Sequence, residues 1–204
     1  MNEESHEPLQ TPRGRHSRGY LPHFDGGPMW QFITLHLGDA LPQKVVERWQ
    51  RELERETDLL ARKLLYERIE RYLDCGYGAC YPGKPQIAEE VQKSLWHFDA
   101  ERYRLSAWVI MPNHTHFLLQ PAEGIELSNI LRDHKSFTAH KCNQLLGRTG
   151  SFWQLDYYDR FIRDAEHYRS VVRYIENNPV KARLCKQASD WKYGSAYHRL
   201  HAGE

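Results

Sequence analysis

The stretch YRLSAWVIMPNHTHFLLQP, residues 103 to 121, constrains the fold more than any other part of the chain. It reads as two strands joined at Met111-Pro112-Asn113, a tight connection whose Pro and Asn suit a turn, so a β-hairpin is expected. A further strand is expected at MWQFITLHL, residues 29 to 37, from its β-branched and aromatic content with rough alternation. Phe152 to Ile162 begins as a short strand or extended segment. Between these lie helical patterns. Trp49, Leu53, Leu59, Leu60, Leu64, Leu65, Ile69 and Leu73 recur near helical spacing, which predicts one long helix or a broken pair with Glu and Arg filling the wet face. CGYGACYPGKP follows as a loop, and a second amphipathic helix is expected across Ile87 to Phe98. Residues 126 to 146 predict another helix, carrying Arg132, Lys135, His140 and Lys141 on its surface. The last long helix runs from about Ala165 to Asn177, with Pro179 expected to stop it. The C-terminal stretch with Trp191, Tyr193 and Tyr197 is expected to fold back on the core. This element order predicts an α+β sandwich, an antiparallel sheet covered by helices on one face.

With 204 residues, of which 40% are hydrophobic, the chain has the material for one generous domain. No apolar run approaches the roughly 20 residues that span a bilayer, and the N-terminus lacks the apolar core of a secretory signal, so a cytosolic protein without a membrane partner is expected. Residues 1 to 28 read as a flexible basic tail whose Arg13, Arg15 and Arg18 are placed to touch a phosphate backbone, and residues 29 to 204 as a single domain with a helical insertion at about 42 to 100. A formal charge of +1 argues against a protein that coats polyanions over its whole surface but leaves room for a local basic groove. Cys75, Cys80, Cys142 and Cys185 form no C-x-x-C pair, which argues for reduced thiols rather than a zinc ribbon.

Two sites carry candidate chemistry. On a strand, His114 and His116 project from one face and Thr115 from the other, so two imidazoles can converge on one metal ion; a His-x-His also serves simply to fill a sheet surface. In HYRSVVRYIENNP, residues 167 to 179, Tyr168, Val171, Val172 and Ile175 form the apolar stripe. Tyr174 lies off that stripe, in line with Asn178 one turn later. Tyr174 is open to reading as an ordinary half-buried aromatic, and Asn178 as a helix C-cap. Taken together, the His pair, an amide oxygen as third ligand and a nearby tyrosine suit phosphodiester cleavage, with a metal taking up charge on a non-bridging oxygen and Tyr174 attacking phosphorus. The expected cofactor is a divalent metal, Mg²⁺ or Mn²⁺, and the mixed donors also accommodate Zn²⁺.

WVIMPNHTHFLLQP, followed some fifty residues later by FWQLDYYDRFIRDAEHYRSVVRYIENNPVKARL, resembles the single-tyrosine HUH transposases of bacteria, especially the REP-associated tyrosine transposases of the insertion-sequence 200-like family. The resemblance runs from about Gly19 to Tyr197. It implies a ferredoxin-like α+β fold that binds single-stranded DNA beside hairpins or REP-like palindromes. Cleavage would proceed through a 5′-phosphotyrosine with a free 3′-hydroxyl, by a monomer or homodimer acting on DNA of the bacterial nucleoid. By matching motif positions, His114 and His116 are expected as metal ligands, Tyr174 as nucleophile, and Asn178 as third ligand in place of the glutamine of some relatives. Thr115 departs from the family's hydrophobic middle residue, and the helical segment between Pro42 and Ala100 is longer than a minimal core needs.

Tyr157 and Tyr158 are rival nucleophiles, each without an amide one helical turn away. Arg132, Lys135, Lys141, Arg160 and Arg163 are candidate DNA contacts, with Phe137, Trp153, Tyr157 and Tyr158 as faces for stacked bases. A nucleic-acid-binding regulator of the same fold that no longer cuts is the alternative to a cutting enzyme, and a metallohydrolase without a covalent step is a third reading.

Overall fold

The computed structural model of the chain describes residues 14–17, 22–25 and 27–202. Most of the expected N-terminal tail, Arg13 and Arg18 with it, lies outside the described residues, as does the side chain of Arg15; within that stretch β1 (Gly14–Ser17) and β2 (Pro22–Asp25) pair as an antiparallel ribbon. The main sheet follows. β3 (Gln31–His36) leads into α1 (Gln43–Glu52), α2 (Asp58–Asp74) and α3 (Pro85–His97). The hairpin β4 (Tyr103–Ile110) and β5 (His114–Pro121) comes next, then α4 (Leu127–Leu146), β6 (Tyr158–Phe161), α5 (Ala165–Lys181) and α6 (Ser195–His201).

The sheet order is β4-β5-β3-β6, and every pairing is antiparallel. With α3 and α4 as the two crossover helices, this is the split βαβ arrangement of a ferredoxin-like fold, as expected. β3 and β5 are the inner strands, so both of their faces are covered and neither shows the polar alternation of an exposed sheet.

One expectation is corrected: helices cover both faces of the sheet. Ile33, Leu35, Phe117 and Leu119 point to one side, where they pack with Ile87, Val91 and Leu95 of α3 and Leu127, Ile130 and Leu131 of α4. Phe32, Ala107, Val109 and Leu118 point to the other and meet Ile175 of α5. The period of two along each strand makes this division unavoidable once both crossover helices take the same side.

The expected helix over residues 45–74 is a broken pair, interrupted at 53–57. Leu65, Ile69 and Leu73 of α2 join the same apolar cluster as α3, so the additional helices are docked on the core. Because α3 is itself a crossover helix, the material beyond the ferredoxin-like core in this region is α1 and α2. A second correction concerns α5. Pro179 does not end it; the helix continues to Lys181. Proline's fixed φ is already helical, its missing N–H forfeits only the bond to the Ile175 carbonyl, and the burial of Asn178 and Pro179 holds the turn. The C-terminal stretch does fold back: Ile110 N–H donates to the Tyr193 carbonyl at 2.8 Å, and Trp191 Nε1 donates to the Ile110 carbonyl at 3.0 Å. All four cysteines carry free thiols.

Candidate functional site

β5 places His114 and His116 on the face that α5 covers. Their cross-strand neighbours on β3 are His36 and Thr34 respectively, and both imidazoles are fully buried with ring centroids 4.6 Å apart. Thr115 faces the other way, and its hydroxyl donates to the Val109 carbonyl at 2.8 Å, which is how a polar residue occupies the middle position of the motif at no cost in unpaired groups.

The hydrogen bonds around the pair decide which nitrogens are free. Asn113 Nδ2 donates to the carbonyls of Leu73 and Tyr77, each at 3.0 Å, which turns Asn113 Oδ1 toward His114 Nδ1 at 2.8 Å. An amide oxygen only accepts, so His114 carries its proton on Nδ1 and presents the Nε2 lone pair. His116 Nδ1 is engaged at 2.9 Å by Thr34 Oγ1. The Nε2 atoms of both rings are buried without a hydrogen-bond partner, and so are both side-chain atoms of Asn178. Burial, then the neighbouring imidazoles of His116 and His36, hold the His114 pKa well below the usual histidine range. His36 is likewise lowered, to about 4, chiefly by burial. A neutral imidazole with its second nitrogen fixed by an outer hydrogen bond is the form that ligates metal.

Buried polar atoms without partners are costly, and three donor-capable ones grouped in one place fit an ion that would satisfy them. Asn178, fully buried, is not a helix C-cap: it sits inside α5, with its side chain against His114. Among the described residues no three His, Cys, Asp or Glu side chains gather as a metal cluster; the set expected from the sequence is two imidazoles and an amide, and their free atoms are the ones left without partners. That set accommodates a divalent cation such as Mn²⁺, Mg²⁺ or Zn²⁺.

Tyr174 projects from α5 one turn before Asn178, with its ring 5.4 Å from that of His116 and edge-on to Phe32 at 5.8 Å. Asp164 caps the start of α5 by accepting from His167 N–H at 2.7 Å, which fixes the helix that carries both residues. The Tyr174 hydroxyl donates to Glu70 Oε2, and the same oxygen lies 3.4 Å from His116 Nε2. Glu70 comes from α2 and is 4% exposed. Sequence reasoning assigned the Glu and Arg of this region to the wet face, so Glu70 was missed. Lys181 was missed as well: its Nζ sits 5.8 Å from the centre of the Tyr174 ring while pairing with Asp74 at 2.7 Å.

The rival tyrosines differ. Tyr158 lies opposite Thr34 on β6, hence on the same sheet face as the His pair, but its ring stacks on Tyr66 at 4.3 Å and burial pushes its pKa up to about 12. Tyr157 is half-buried, with Lys135 Nζ 6.0 Å over its ring. Of the candidate DNA contacts, Arg160 is exposed on β6 across from Phe32, on the Tyr174 side of the sheet. Arg163 lines a shallow cleft with Trp30, Tyr168 and Arg169. Arg132 and Lys141 are exposed on α4, which covers the opposite face. Lys135 is turned inward, donating to the carbonyls of Gln154 and Leu155, both at 2.7 Å, and burial lowers its pKa to about 8. Trp153 is core, with Nε1 on Thr138 Oγ1 at 2.8 Å, and Phe137 keeps an exposed ring.

Residues 84–178 match the family Transposase IS200 like. That likeness covers a little under half of the chain. The matched stretch contains His114, His116, Tyr174 and Asn178 and leaves out α1 and α2. A REP-associated tyrosine transposase of Escherichia coli (strain K12) is 35% identical over 98 residues, 48% of this chain and 56% of that protein. An uncharacterized protein of Haemophilus influenzae is 26% identical over 102 residues, 38% of this chain and 54% of that one. The chain thus spans about half the length of the curated relatives it matches. Its fold is shared, at a TM-score of 0.56 and 21% identity, with a REP-associated tyrosine transposase solved bound to a REP hairpin, over 92% of this chain and 86% of that one. The resemblance carried by the two motifs is therefore borne out at the level of family and fold.

Proposed function

We propose that this chain cleaves and rejoins single-stranded DNA beside hairpin or REP-like palindromic repeats, with Tyr174 as nucleophile and His114, His116 and Asn178 holding a divalent cation. The observation that carries the reading is the convergence of three unpartnered buried donors, His114 Nε2, His116 Nε2 and Asn178 Oδ1, beside a tyrosine hydroxyl. A cation bound there would draw charge from a non-bridging phosphate oxygen as the bond to phosphorus forms.

The chain's own residues supply the rest. Tyr174 Oη attacks phosphorus and loses its proton; the P–O3′ bond breaks, and the departing 3′-oxygen takes up a proton. The products are a 5′-phosphotyrosine and a free 3′-hydroxyl, no co-reactant is consumed, and reversal of the same step rejoins a strand. Lys181, next to the Tyr174 ring, supplies a positive charge near the phosphate. Arg160, exposed on the same face, is suited to backbone contact. The bound hairpin of the structural relative supports hairpin-bearing DNA as the partner, and such a substrate implies action in the bacterial cytoplasm. α1 and α2 are proposed as an insertion within a single domain.

The test is a denaturing gel after incubation with hairpin-bearing single strands and Mn²⁺. Wild type should give a protein–DNA adduct, and Tyr174→Phe should reduce it at least 10³-fold while hairpin binding persists. Binding without any adduct in wild type would favour the non-cutting regulator. Cleavage that survives Tyr174→Phe would favour a metallohydrolase without a covalent step.

A further inference from the structure

α2 belongs to neither the matched stretch 84–178 nor the ferredoxin-like core, yet it delivers one buried carboxylate to the site. Glu70 Oε2 accepts from the Tyr174 hydroxyl and stands 3.4 Å from His116 Nε2, so one oxygen faces both the tyrosine and a metal-facing nitrogen. Burying a carboxylate is costly, and neither an exposed-face role nor packing accounts for it. Tyr66, one turn earlier on α2, is a close neighbour of Glu70, and its ring stacks on Tyr158 of β6. α2 is itself anchored through Leu65, Ile69 and Leu73.

We infer that Glu70 is a positioning residue that clamps the Tyr174 hydroxyl beside the His pair, which makes α2 a working part of the active site. The inference rests on Tyr174 being the nucleophile. A phenol on a helix turns about its χ angles, and holding it near the reacting phosphate removes that freedom before the reaction rather than during it. The clamp acts by hydrogen-bond acceptance, so an amide oxygen at the same place should serve in part.

The experiment compares wild type, Glu70→Ala and Glu70→Gln in two readouts. The first is the rate of adduct formation at saturating hairpin DNA, alongside hairpin affinity. Glu70→Ala should slow adduct formation 10²-fold or more with affinity changed less than 2-fold, and Glu70→Gln should recover at least 10-fold of the loss. The second is the ¹⁹F spectrum of metal-free protein carrying 3-fluorotyrosine at position 174. Wild type and Glu70→Gln should show a held ring, and Glu70→Ala an averaged one. A wild-type rate in Glu70→Ala, equal losses in both variants, or identical ¹⁹F spectra in all three overturns the clamp. Should Glu70→Ala fail to fold, Glu70→Gln and Glu70→Asp take its place, the shorter acid being expected to free the ring. If wild type itself forms no adduct, the nucleophile reading fails, and the ¹⁹F spectra still decide the clamp.

Discussion

The two faces of the β4-β5-β3-β6 sheet use the same residue type for different ends. On the α3–α4 face, His134 is buried beside the Phe117 ring and engages Ser94 Oγ at 2.9 Å, and burial holds its pKa at about 3. On the α5 face, His114 and His116 sit side by side with an amide and a tyrosine above them. A histidine bonded to a serine among apolar neighbours is packing. Two adjacent histidines, each with Nδ1 engaged and Nε2 without a hydrogen-bond partner, are the arrangement proposed above to hold a cation. Burial alone does not separate the cases; the company of the free nitrogen does.

The contrast breaks most visibly if the histidines are exchanged in role. His114→Ala is expected to lower Mn²⁺ affinity at least 10²-fold by calorimetry and adduct formation at least 10³-fold, while the chain stays folded. An unchanged Mn²⁺ affinity would reduce the pair to sheet filling. On the other face, Phe117→Ala removes a fully buried ring from the α3–α4 core and should cost about 3–5 kcal/mol in urea unfolding. Residual folded protein should still bind Mn²⁺, because none of the donors packs on that side.

The smallest effect sharpens the comparison through pH. His134 has a folded pKa of about 3 against an ordinary 6.5, so the unfolded chain binds the proton more readily between those values. Its contribution is complete above pH 6.5 and is lost as pH falls toward 3. His134→Gln should therefore remove about 1 kcal/mol of the stability loss between pH 7 and 5.5, read from urea midpoints at the two pH values. An unaltered slope would mean that this imidazole does not set the acid limb.

What could be read from the chain alone follows from distance along it. The hairpin, the shared face of His114 and His116, and the one-turn spacing of Tyr174 and Asn178 are local geometry, and all of them appear in the structure. The carboxylate lies 104 residues from the tyrosine it meets, on a helix where Glu and Arg are common, so no spacing could single out Glu70. Asn113 looked like a turn residue; its role in fixing the His114 proton depends on the Leu73 and Tyr77 carbonyls reaching it from α2 and the loop beyond. Lys135 looked like a surface cation because its helix position is half-exposed, and only the fold brings the Gln154 and Leu155 carbonyls over it. Pro179 misled for a simpler reason: a helix anchored by buried neighbours tolerates one missing backbone bond.

The central claim is that the α5 face presents one tyrosine to DNA. It is tested most directly by digesting the covalent adduct with trypsin and locating the modified tyrosine by mass spectrometry. Cleavage at Arg and Lys separates YIENNPVK, residues 174–181, from TGSFWQLDYYDR, residues 149–160. The account predicts the nucleotide on the first peptide at Tyr174. A nucleotide on the second, at Tyr157 or Tyr158, would contradict it.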